Sequence, residues 1–210
     1  IFWMWMIALL GMATGFVEAT LAQLFKIRDD KGQFRGGPAY YMEKGLGVRW
    51  MGVLFSIFLI IAFGFVFNSV QANTITGAMQ GAFGVSTLVS GLAIVVMTGL
   101  IIFGGLRAIA RFSELAVPVM AVVYLLVAVF IILSNLGEIP GVFKMIFNSA
   151  FGLEEAAAGG IGAAIMNGFK RGLFSNEAGM GSAPNAAASA TPYPPHPASQ
   201  GYVQMAGVFI

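Results

Sequence analysis

The sequence predicts an all-α, polytopic membrane protein in which one membrane-length helix is discontinuous. Of its 210 residues, 58% are hydrophobic and 10% are charged, whereas a soluble domain needs about 25% charged residues to cover its surface. One of its apolar runs, Gly172–Ala188, contains a carboxylate, three glycines and a proline. Irregular backbone at membrane depth is tolerated only where it is buried in protein or lines a cavity. The interrupted helix therefore predicts a polar site of the kind that transporters use.

The composition also excludes several classes of function. The net charge of +2 is too small and too scattered to predict nucleic-acid binding. Without cysteine, the chain can form neither a disulfide framework nor a thiolate metal site. The single histidine, His196, lies in a proline-rich loop without the partners that a metal site or a catalytic triad requires. We expect neither an enzyme nor a resident metal or cofactor.

Five spans and the beginning of a sixth follow one another along the chain. Their expected ranges are 1–25, 50–79, 88–106, 115–136 and 156–190, with the sixth after the prolines of 192–197. A helix of about 20 residues crosses the roughly 30 Å of hydrocarbon in a bilayer. Residues 107–114 are expected to form a short basic connection between the third and fourth spans.

Charge asymmetry orients these spans. The segment 26–49 carries six basic and three acidic residues, whereas 137–158 carries one lysine and three glutamates. By the positive-inside rule, 26–49 is a cytoplasmic loop, and 137–155 is an extracytoplasmic loop with an interfacial helix. The first span and the broken span then both run from outside to inside. If the whole protein begins in the cytoplasm, an odd number of spans precedes Ile1, most simply one.

The polar residues of the broken span favour a binding site over a kinked structural helix. Ser175 and Asn176 offer oxygens and an amide, beside carbonyls that the break frees from helical hydrogen bonds. Glu177 has two interpretations of equal weight: it contacts the ligand, or it organises the unwound loop.

A second polar patch lies on the second span and comprises Asn68, Gln71, Asn73 and Thr74. An amide can bind a ligand carboxylate or ammonium, but amides also join transmembrane helices to one another. We favour the binding role for Gln71 and leave the two roles evenly balanced for Asn68. Glu18, near the cytoplasmic end of the first span, is expected to snorkel or to pair with a basic residue.

Four stretches together are characteristic of one family. RGLFSNEAGMGSAP, GGPAYYMEKGLG, FNSVQANTI and HPASQG resemble the alanine or glycine:cation symporter family, and the resemblance covers essentially the whole chain. Residues 1–210 are similar to a partial transporter domain, from about the second to the sixth transmembrane helix and the start of the seventh. The resemblance implies a fragment of a leucine-transporter-like 5+5 inverted-repeat fold. In that fold the first and sixth helices unwind at mid-membrane around the substrate.

The resemblance implies a secondary active symporter of the cell membrane that takes up alanine or glycine with sodium by alternating access. A proton-coupled transporter of another small amino acid is the alternative within this class, and an ion channel is the alternative from another class. A channel needs a continuous polar face over several helices, whereas polar residues here cluster at two places. The expected partners are a small amino acid, a monovalent cation and the lipid bilayer, without an obligate protein partner.

The resemblance also implies a substrate site made of Gln71, Phe174, Ser175, Asn176, Gly179 and Gly181. Phe174 is expected to cover the substrate side chain, and the groups around Ser175 and Asn176 to bind its ammonium or carboxylate. Asn176 and Glu177 are expected to hold the cation or to organise the site. The two glycines permit unwound backbone and leave little room, which favours a small amino acid. Since one methylene changes binding by only about 1–3 kcal/mol, strict selectivity for alanine is not expected.

Overall fold

The computed structural model describes residues 1–151 and 160–209, which are mostly helical. The helices in chain order are α1 (Phe2–Leu24), α2 (Pro38–Leu46), α3 (Arg49–Ile61), α4 (Asn68–Phe83), α5 (Thr87–Ile102), α6 (Gly105–Ser134), α7 (Ile139–Ala150), α8 (Gly160–Asn176), α9 (Ser182–Ser189) and α10 (Pro197–Phe209). A π-helical segment (Ala62–Phe67) joins α3 to α4, and a 3-10 turn (Leu136–Glu138) precedes α7. Strands β1 (Ile27–Arg28) and β2 (Phe34–Arg35) form a short antiparallel hairpin after α1.

Three helical segments in the described part of the chain are long and apolar enough to cross a membrane. They are Phe2–Leu24, Arg49–Phe83 and Ala108–Ser134, and α5 is a shorter apolar helix. The predicted connection over 107–114 is wrong, because α6 already begins at Gly105. Residues 103 and 104 separate α5 from α6, and Gly105 has a left-handed φ of 73°. Of the fifth predicted span, residues 156–159 lie outside the described residues and the remainder forms α8 and α9.

Two compact units divide the chain, and the first comprises Ile1–Phe63 and Phe143–Ile210. Helix α1 is its central element, since α8, α9 and α10 all pack against it. The buried residues of α1 recur every three or four positions and are mostly small: Ile7, Gly11, Gly15, Ala19, Ala22 and Gln23. Small residues at this spacing let helix backbones approach closely, as is common between transmembrane helices. A Cβ added at Gly15, for example, would lie 3.0 Å from Val208 of α10.

Aromatic side chains hold the end of α7 against the first turn of α1. The Trp3 indole Nε1 donates a hydrogen bond to the Ala150 carbonyl at 3.0 Å. The Phe2 ring lies 5.5 Å from Phe147 and 5.3 Å from Phe151, measured between ring centroids. Helix α7 falls in the segment for which the sequence predicts an interfacial helix, of which residues 152–155 lie outside the described ranges. Its extracytoplasmic location stays a prediction.

The segment after the β-hairpin packs against α9. At Gly37, which has a φ of 112°, a Cβ would overlap the Asn185 side chain. At Gly36, a Cβ would lie 2.7 Å from the Ala188 methyl group. The two glycines therefore allow this loop to approach α9 more closely than any other residue type would. Helix α2 then packs on α3, where a Cβ at Gly52 would lie 2.6 Å from the Ala39 carbonyl oxygen.

The second unit comprises Gly64–Val142 and contains α4, α5 and α6. Helix α5 packs against both of the others. Thr76 of α4 and Ser90 of α5 are buried. Each hydroxyl donates to a backbone carbonyl of its own helix, Thr76 to Asn73 at 3.1 Å and Ser90 to Ser86 at 3.1 Å. These polar groups are thereby satisfied without partners from another helix.

A polar helix break as the candidate binding site

The predicted interruption lies between α8 and α9, where α8 ends at Asn176 and α9 begins at Ser182. Three of the five intervening residues have left-handed backbone, with φ values of 51° at Glu177, 84° at Gly179 and 87° at Gly181. Glycine adopts this conformation without a steric cost, whereas a residue with a Cβ pays roughly 1–2 kcal/mol. Glu177 is the only non-glycine residue with positive φ in the described chain. We refer to Glu177–Gly181 as the break.

The amides of the break are diverted away from the carbonyls that a continuous helix would use. Ala178 N donates to the Asn176 side-chain oxygen Oδ1 at 3.0 Å, and Met180 N donates to the Glu177 carbonyl at 3.1 Å. Gly179 N donates to Glu18 of α1 at 3.1 Å. Helical geometry would instead direct the Gly179 and Met180 amides to the carbonyls of Ser175 and Asn176. Those carbonyls therefore lose their helical donors at the point where the chain turns.

Glu177 organises the start of α9 in this structure. Its carboxylate accepts a hydrogen bond from the Ser182 hydroxyl, in the first turn of α9. A negative charge at this end of a helix interacts favourably with the helix dipole. In the same turn, Asn185 Nδ2 donates to the Gly181 carbonyl at 3.0 Å. Of its two predicted roles, the organising one is therefore the role for which the structure provides a contact.

Glu18 of α1 contacts the break, although the sequence favoured another role for this residue. We expected it to snorkel or to form an ion pair, yet its Oε2 accepts the Gly179 amide. The ion pairs within the described ranges join Arg35 to Asp29 and Arg49 to Glu43, and do not involve Glu18. Burial, and then the charge of Glu18, raise the pKa of Tyr41 of α2 to about 12.

Asn176 carries an unpaired donor beside a cavity. The cavity has a volume of about 270 Å³ and is lined by Ser175 and Asn176 of α8, with residues from the first two turns of α1 and the end of α10. The amide nitrogen Nδ2 of Asn176 is buried and has no hydrogen-bond partner among the described residues. It lies against α1, where a Cβ at Gly11 would be 2.8 Å from it. An unsatisfied buried donor costs roughly 1–3 kcal/mol, so this atom is suited to a ligand acceptor.

The other predicted residues of the broken helix lie outside the lining of this cavity. The side chain of Phe174 is 46% exposed. Gly179 lies beside Thr14 of α1, whose methyl group would be 3.7 Å from an added Cβ. Gly181 is buried, and a Cβ there would overlap the ring of Phe55 on α3. The structure therefore brings Ser175 and Asn176 together at the cavity and assigns the two glycines to the backbone turn.

The polar patch of the second span lies on α4, in the second unit. Gln71 is exposed there. Its neighbour Asn68 donates through Nδ2 to the Gly64 carbonyl at 3.1 Å, and the Thr74 hydroxyl donates to the Val70 carbonyl at 2.9 Å. The π-helical segment precedes this patch directly. Such segments are frequent at functional sites, so the predicted role of Gln71 stays open to experiment.

The end of α9 is held by two residues that the sequence did not single out. Gln23 is 6% exposed and donates to the carbonyls of Ala187 and Ala190. The Lys26 ammonium donates to the Ala190 carbonyl at 2.9 Å and to Gln23 Oε1 at 2.6 Å. Burial, and then the nearby charge of Arg28, lower the pKa of Lys26. A signal was present, because Gln23 follows the small buried residues of α1 on the same helix face.

The groups at the break that could bind a ligand are backbone groups, side-chain amides, hydroxyls and carboxylates. No group of three or more histidine, cysteine, aspartate or glutamate residues that could hold a metal occurs among the residues described. Backbone and side-chain oxygens of this kind suit a hard monovalent cation or an ammonium group.

Comparison with known proteins identifies the chain's relatives. A family model described as the sodium:alanine symporter family matches residues 1–210. The amino-acid carrier protein AlsT of Bacillus subtilis is 54% identical over 209 residues, which is 100% of this chain and 44% of AlsT. The probable sodium/glutamine symporter GlnT of Bacillus subtilis is 56% identical over 208 residues, 99% of this chain and 43% of GlnT.

A third relative has a lower sequence identity to this chain. The sodium/alanine symporter AgcS of Methanococcus maripaludis is 44% identical over 215 residues, which cover 100% of this chain and 47% of AgcS. The chain therefore spans less than half the length of these curated relatives.

Proposed function

We propose that this chain, which belongs to the sodium:alanine symporter family, supplies the broken helix and part of the substrate pocket of a transporter that takes up a small neutral amino acid with sodium. The family consists of multi-pass membrane transporters that move amino acids with sodium, and not of enzymes. Because the chain spans less than half of each relative, transport is proposed for the full-length protein. Alternating access and location in the cell membrane are part of the same proposal.

The observation that carries this proposal is the unpaired Asn176 amide beside the cavity. Its Nδ2 is buried without a partner in the described chain. An amino acid brings a carboxylate, and a hydrogen bond to a charged acceptor is stronger than one to a neutral group. We assign Asn176 Nδ2 as a donor to the substrate carboxylate and Ser175 as its neighbour at the cavity wall.

The two helix ends at the break supply complementary charge for the rest of the ligand. Carbonyls at the end of α8 carry partial negative charge, which favours an ammonium group or a sodium ion. The start of α9 carries partial positive charge, which favours a carboxylate. A zwitterionic amino acid and a sodium ion together match this arrangement. We assign Glu177 to the organisation of α9 and Phe174 to the cover of the substrate side chain.

A leucine-transporter-like inverted repeat is the fold that we propose for the complete protein. In such a fold, the broken helix faces a second unwound helix around the substrate. The family resemblance is what supports Gln71 as a substrate-binding residue of the complete protein. The polar patch of α4 and the π-helical segment before it are compatible with that role. An exposed glutamine in an apolar helix otherwise requires a partner on another helix.

Glutamine is the second candidate substrate, because GlnT, named as a probable sodium/glutamine symporter, is 56% identical to this chain. We favour alanine or glycine, since Gly179 and Gly181 keep the break compact and the sodium/alanine symporter AgcS is also a relative. Added methylenes change affinity by only about 1–3 kcal/mol each. Size selection is therefore graded, and direct competition is the appropriate comparison.

Uptake by the full-length transporter in reconstituted vesicles tests this function. Labelled alanine, glycine and glutamine are presented under an imposed sodium gradient and, separately, under a proton gradient. We expect alanine or glycine to accumulate with sodium and glutamine to compete weakly. Glutamine accumulating in preference would replace the substrate assignment, and accumulation with protons alone would replace sodium. If the labelled amino acids only equilibrate across the membrane and neither gradient drives their accumulation, a channel would be favoured over a symporter.

A further inference from the structure

We propose that Glu18 is a positioning residue that anchors the break to α1 at the substrate site. This inference rests on the proposed transport function, because it concerns the geometry of the same site. Glu18 lies on α1, whereas the site residues Ser175 and Asn176 lie on α8. Its role is indirect, because Glu18 acts through the backbone of the break. The groups proposed to contact the substrate are those of Ser175 and Asn176.

The acceptor of the Gly179 amide shows how Glu18 acts on the break. That amide donates to Glu18 Oε2 at 3.1 Å. In an uninterrupted helix it would donate to the carbonyl of Ser175, four residues earlier. The Glu18 carboxylate therefore takes the place of the Ser175 carbonyl as the acceptor for this amide. While Glu18 holds the amide, the Ser175 carbonyl stays available beside the cavity.

A carboxylate is well suited to this competition. A charged acceptor binds an amide about twice as strongly as a neutral one. Gly179 already has left-handed backbone, so its amide points out of the helical direction and towards α1. The close contact of the two elements, with Thr14 beside Gly179, keeps the carboxylate within reach.

The other carboxylate of the region does not duplicate this role. Glu177 accepts the Ser182 hydroxyl and so bonds within its own segment. Glu18 makes the contact that crosses from α1 to the break. Removing Glu177 would affect the start of α9, whereas removing Glu18 would release Gly179.

Hydrogen exchange of the break tests this inference without any transport assay. The matched variants in the full-length transporter are Glu18→Gln, which keeps an acceptor oxygen, and Glu18→Met, which has similar volume and no comparable acceptor. Glu43→Ala is the control, because Glu43 is an exposed carboxylate whose distance to Arg49 is 3.8 Å. Exchange is measured by mass spectrometry on peptides that cover residues 174–181.

We expect Glu18→Met to speed exchange in this peptide about tenfold, since a hydrogen bond to a charged group is lost. Glu18→Gln should change it by less than about threefold, and Glu43→Ala should leave it unchanged. Unchanged exchange in Glu18→Met overturns the inference. Equal acceleration in Glu18→Met and in the Glu43→Ala control also overturns it, because the effect would then not be specific to the acceptor at position 18.

Transport kinetics supply the second readout. Glu18→Met should raise the KM for alanine about tenfold at an unchanged amount of folded transporter, and Glu18→Gln should restore it to within about threefold of the wild type. If Glu18→Met does not fold, Glu18→Ala replaces it in both measurements. Wild-type vesicles without uptake would refute the proposed function, and the exchange result would still decide whether Glu18 holds Gly179.

Discussion

Two polar segments interrupt the apolar helices of this chain, and only one of them breaks the helix. In α4, side-chain donors bond carbonyls one turn earlier along the continuous helical segment, as Asn68 does with Gly64 at 3.1 Å and Thr74 with Val70 at 2.9 Å. In the break, by contrast, backbone amides donate to side chains, among them Glu18 of another helix. These two bonds of the break therefore run from the backbone to a side chain, in the direction opposite to those of α4.

Polar composition alone therefore does not unwind a helix. Ser, Thr and Asn satisfy themselves on the carbonyl four residues earlier, and the backbone ladder survives. The break additionally has glycines at left-handed positions, with φ values of 84° at Gly179 and 87° at Gly181. Glycine removes the steric cost of leaving the helix, and an acceptor on α1 compensates for a lost helical bond. Both conditions are needed to keep carbonyls available for a ligand.

The largest effect is expected for Gly181→Ala compared with Gly77→Ala of α4. At Gly181, alanine would combine left-handed strain with an overlap of the Phe55 ring, which together should cost about 3 kcal/mol of unfolding free energy. At Gly77, nothing lies within 4 Å of an added Cβ, so alanine should stabilise the helix by about 0.5–1 kcal/mol. Thermal unfolding of the purified full-length variants measures both. Equal shifts of the thermal midpoint in the same direction would contradict the expected difference between Gly181 and Gly77.

The next effect is expected for Asn176→Ala compared with Asn68→Ala. Loss of the Asn176 donor should raise the KM for alanine about 10- to 100-fold, since a hydrogen bond to a charged group is removed. Asn68 bonds its own helix, so its replacement should change the KM by less than about threefold. Initial uptake rates over a range of alanine concentrations give both values.

A further variant separates the two atoms of the Asn176 amide. Asn176→Asp keeps an oxygen that can accept Ala178 N, but it replaces the donor with a second acceptor oxygen and adds an acidic group. It should lose alanine uptake at least as completely as Asn176→Ala does, because the new carboxyl would repel the substrate carboxylate. Wild-type uptake by Asn176→Asp would argue against the proposed donor.

The break was predictable because its signals are local. Glycines at 179 and 181, with Glu177 between apolar neighbours, indicate left-handed turns within a few residues. The connection predicted over 107–114 was wrong for a related reason. Charged residues such as Arg111 and Glu114 do not end a helix, and α6 begins instead at Gly105, which has a left-handed φ.

Contacts between distant segments were not predictable from those local signals. Glu18 and Gly179 are 161 positions apart in the sequence, and Gln23 bonds carbonyls near the end of α9. A half-buried carboxylate near a span end resembles a snorkelling residue unless its acceptor role is known. The cavity beside Asn176 likewise depends on how α1, α8 and α10 pack together. No sequence pattern within a single helix specifies that packing.

The contribution of long-range polar contacts to stability is tested by Gln23→Ala, with Gln80→Ala as the control. Gln23 is buried and donates to two carbonyls of the α9 end, so its loss should cost about 1–3 kcal/mol of unfolding free energy. Gln80 is exposed on α4, and its replacement should change stability by less than about 0.5 kcal/mol. Thermal unfolding compares the two. A shift for Gln80→Ala as large as that for Gln23→Ala would mean that the polar bonds to α9 contribute little.

The smallest effect is expected at alkaline pH and concerns Tyr41, which lies beside the carboxylate that holds the break. Burial, and then Glu18, raise its pKa to about 12, compared with roughly 10 in an unfolded chain. Folding therefore favours the protonated phenol, and this contribution is complete below about pH 10 and lost as the pH rises towards the folded value. Tyr41→Phe should lose less thermal stability than the wild type between pH 9.5 and about 11, while the two coincide near pH 8.

Tyr124→Phe, at a side chain that is 73% exposed on α6, should follow the wild type throughout. An identical pH dependence in Tyr41→Phe and the wild type would exclude Tyr41 as the alkaline-sensitive neighbour of Glu18.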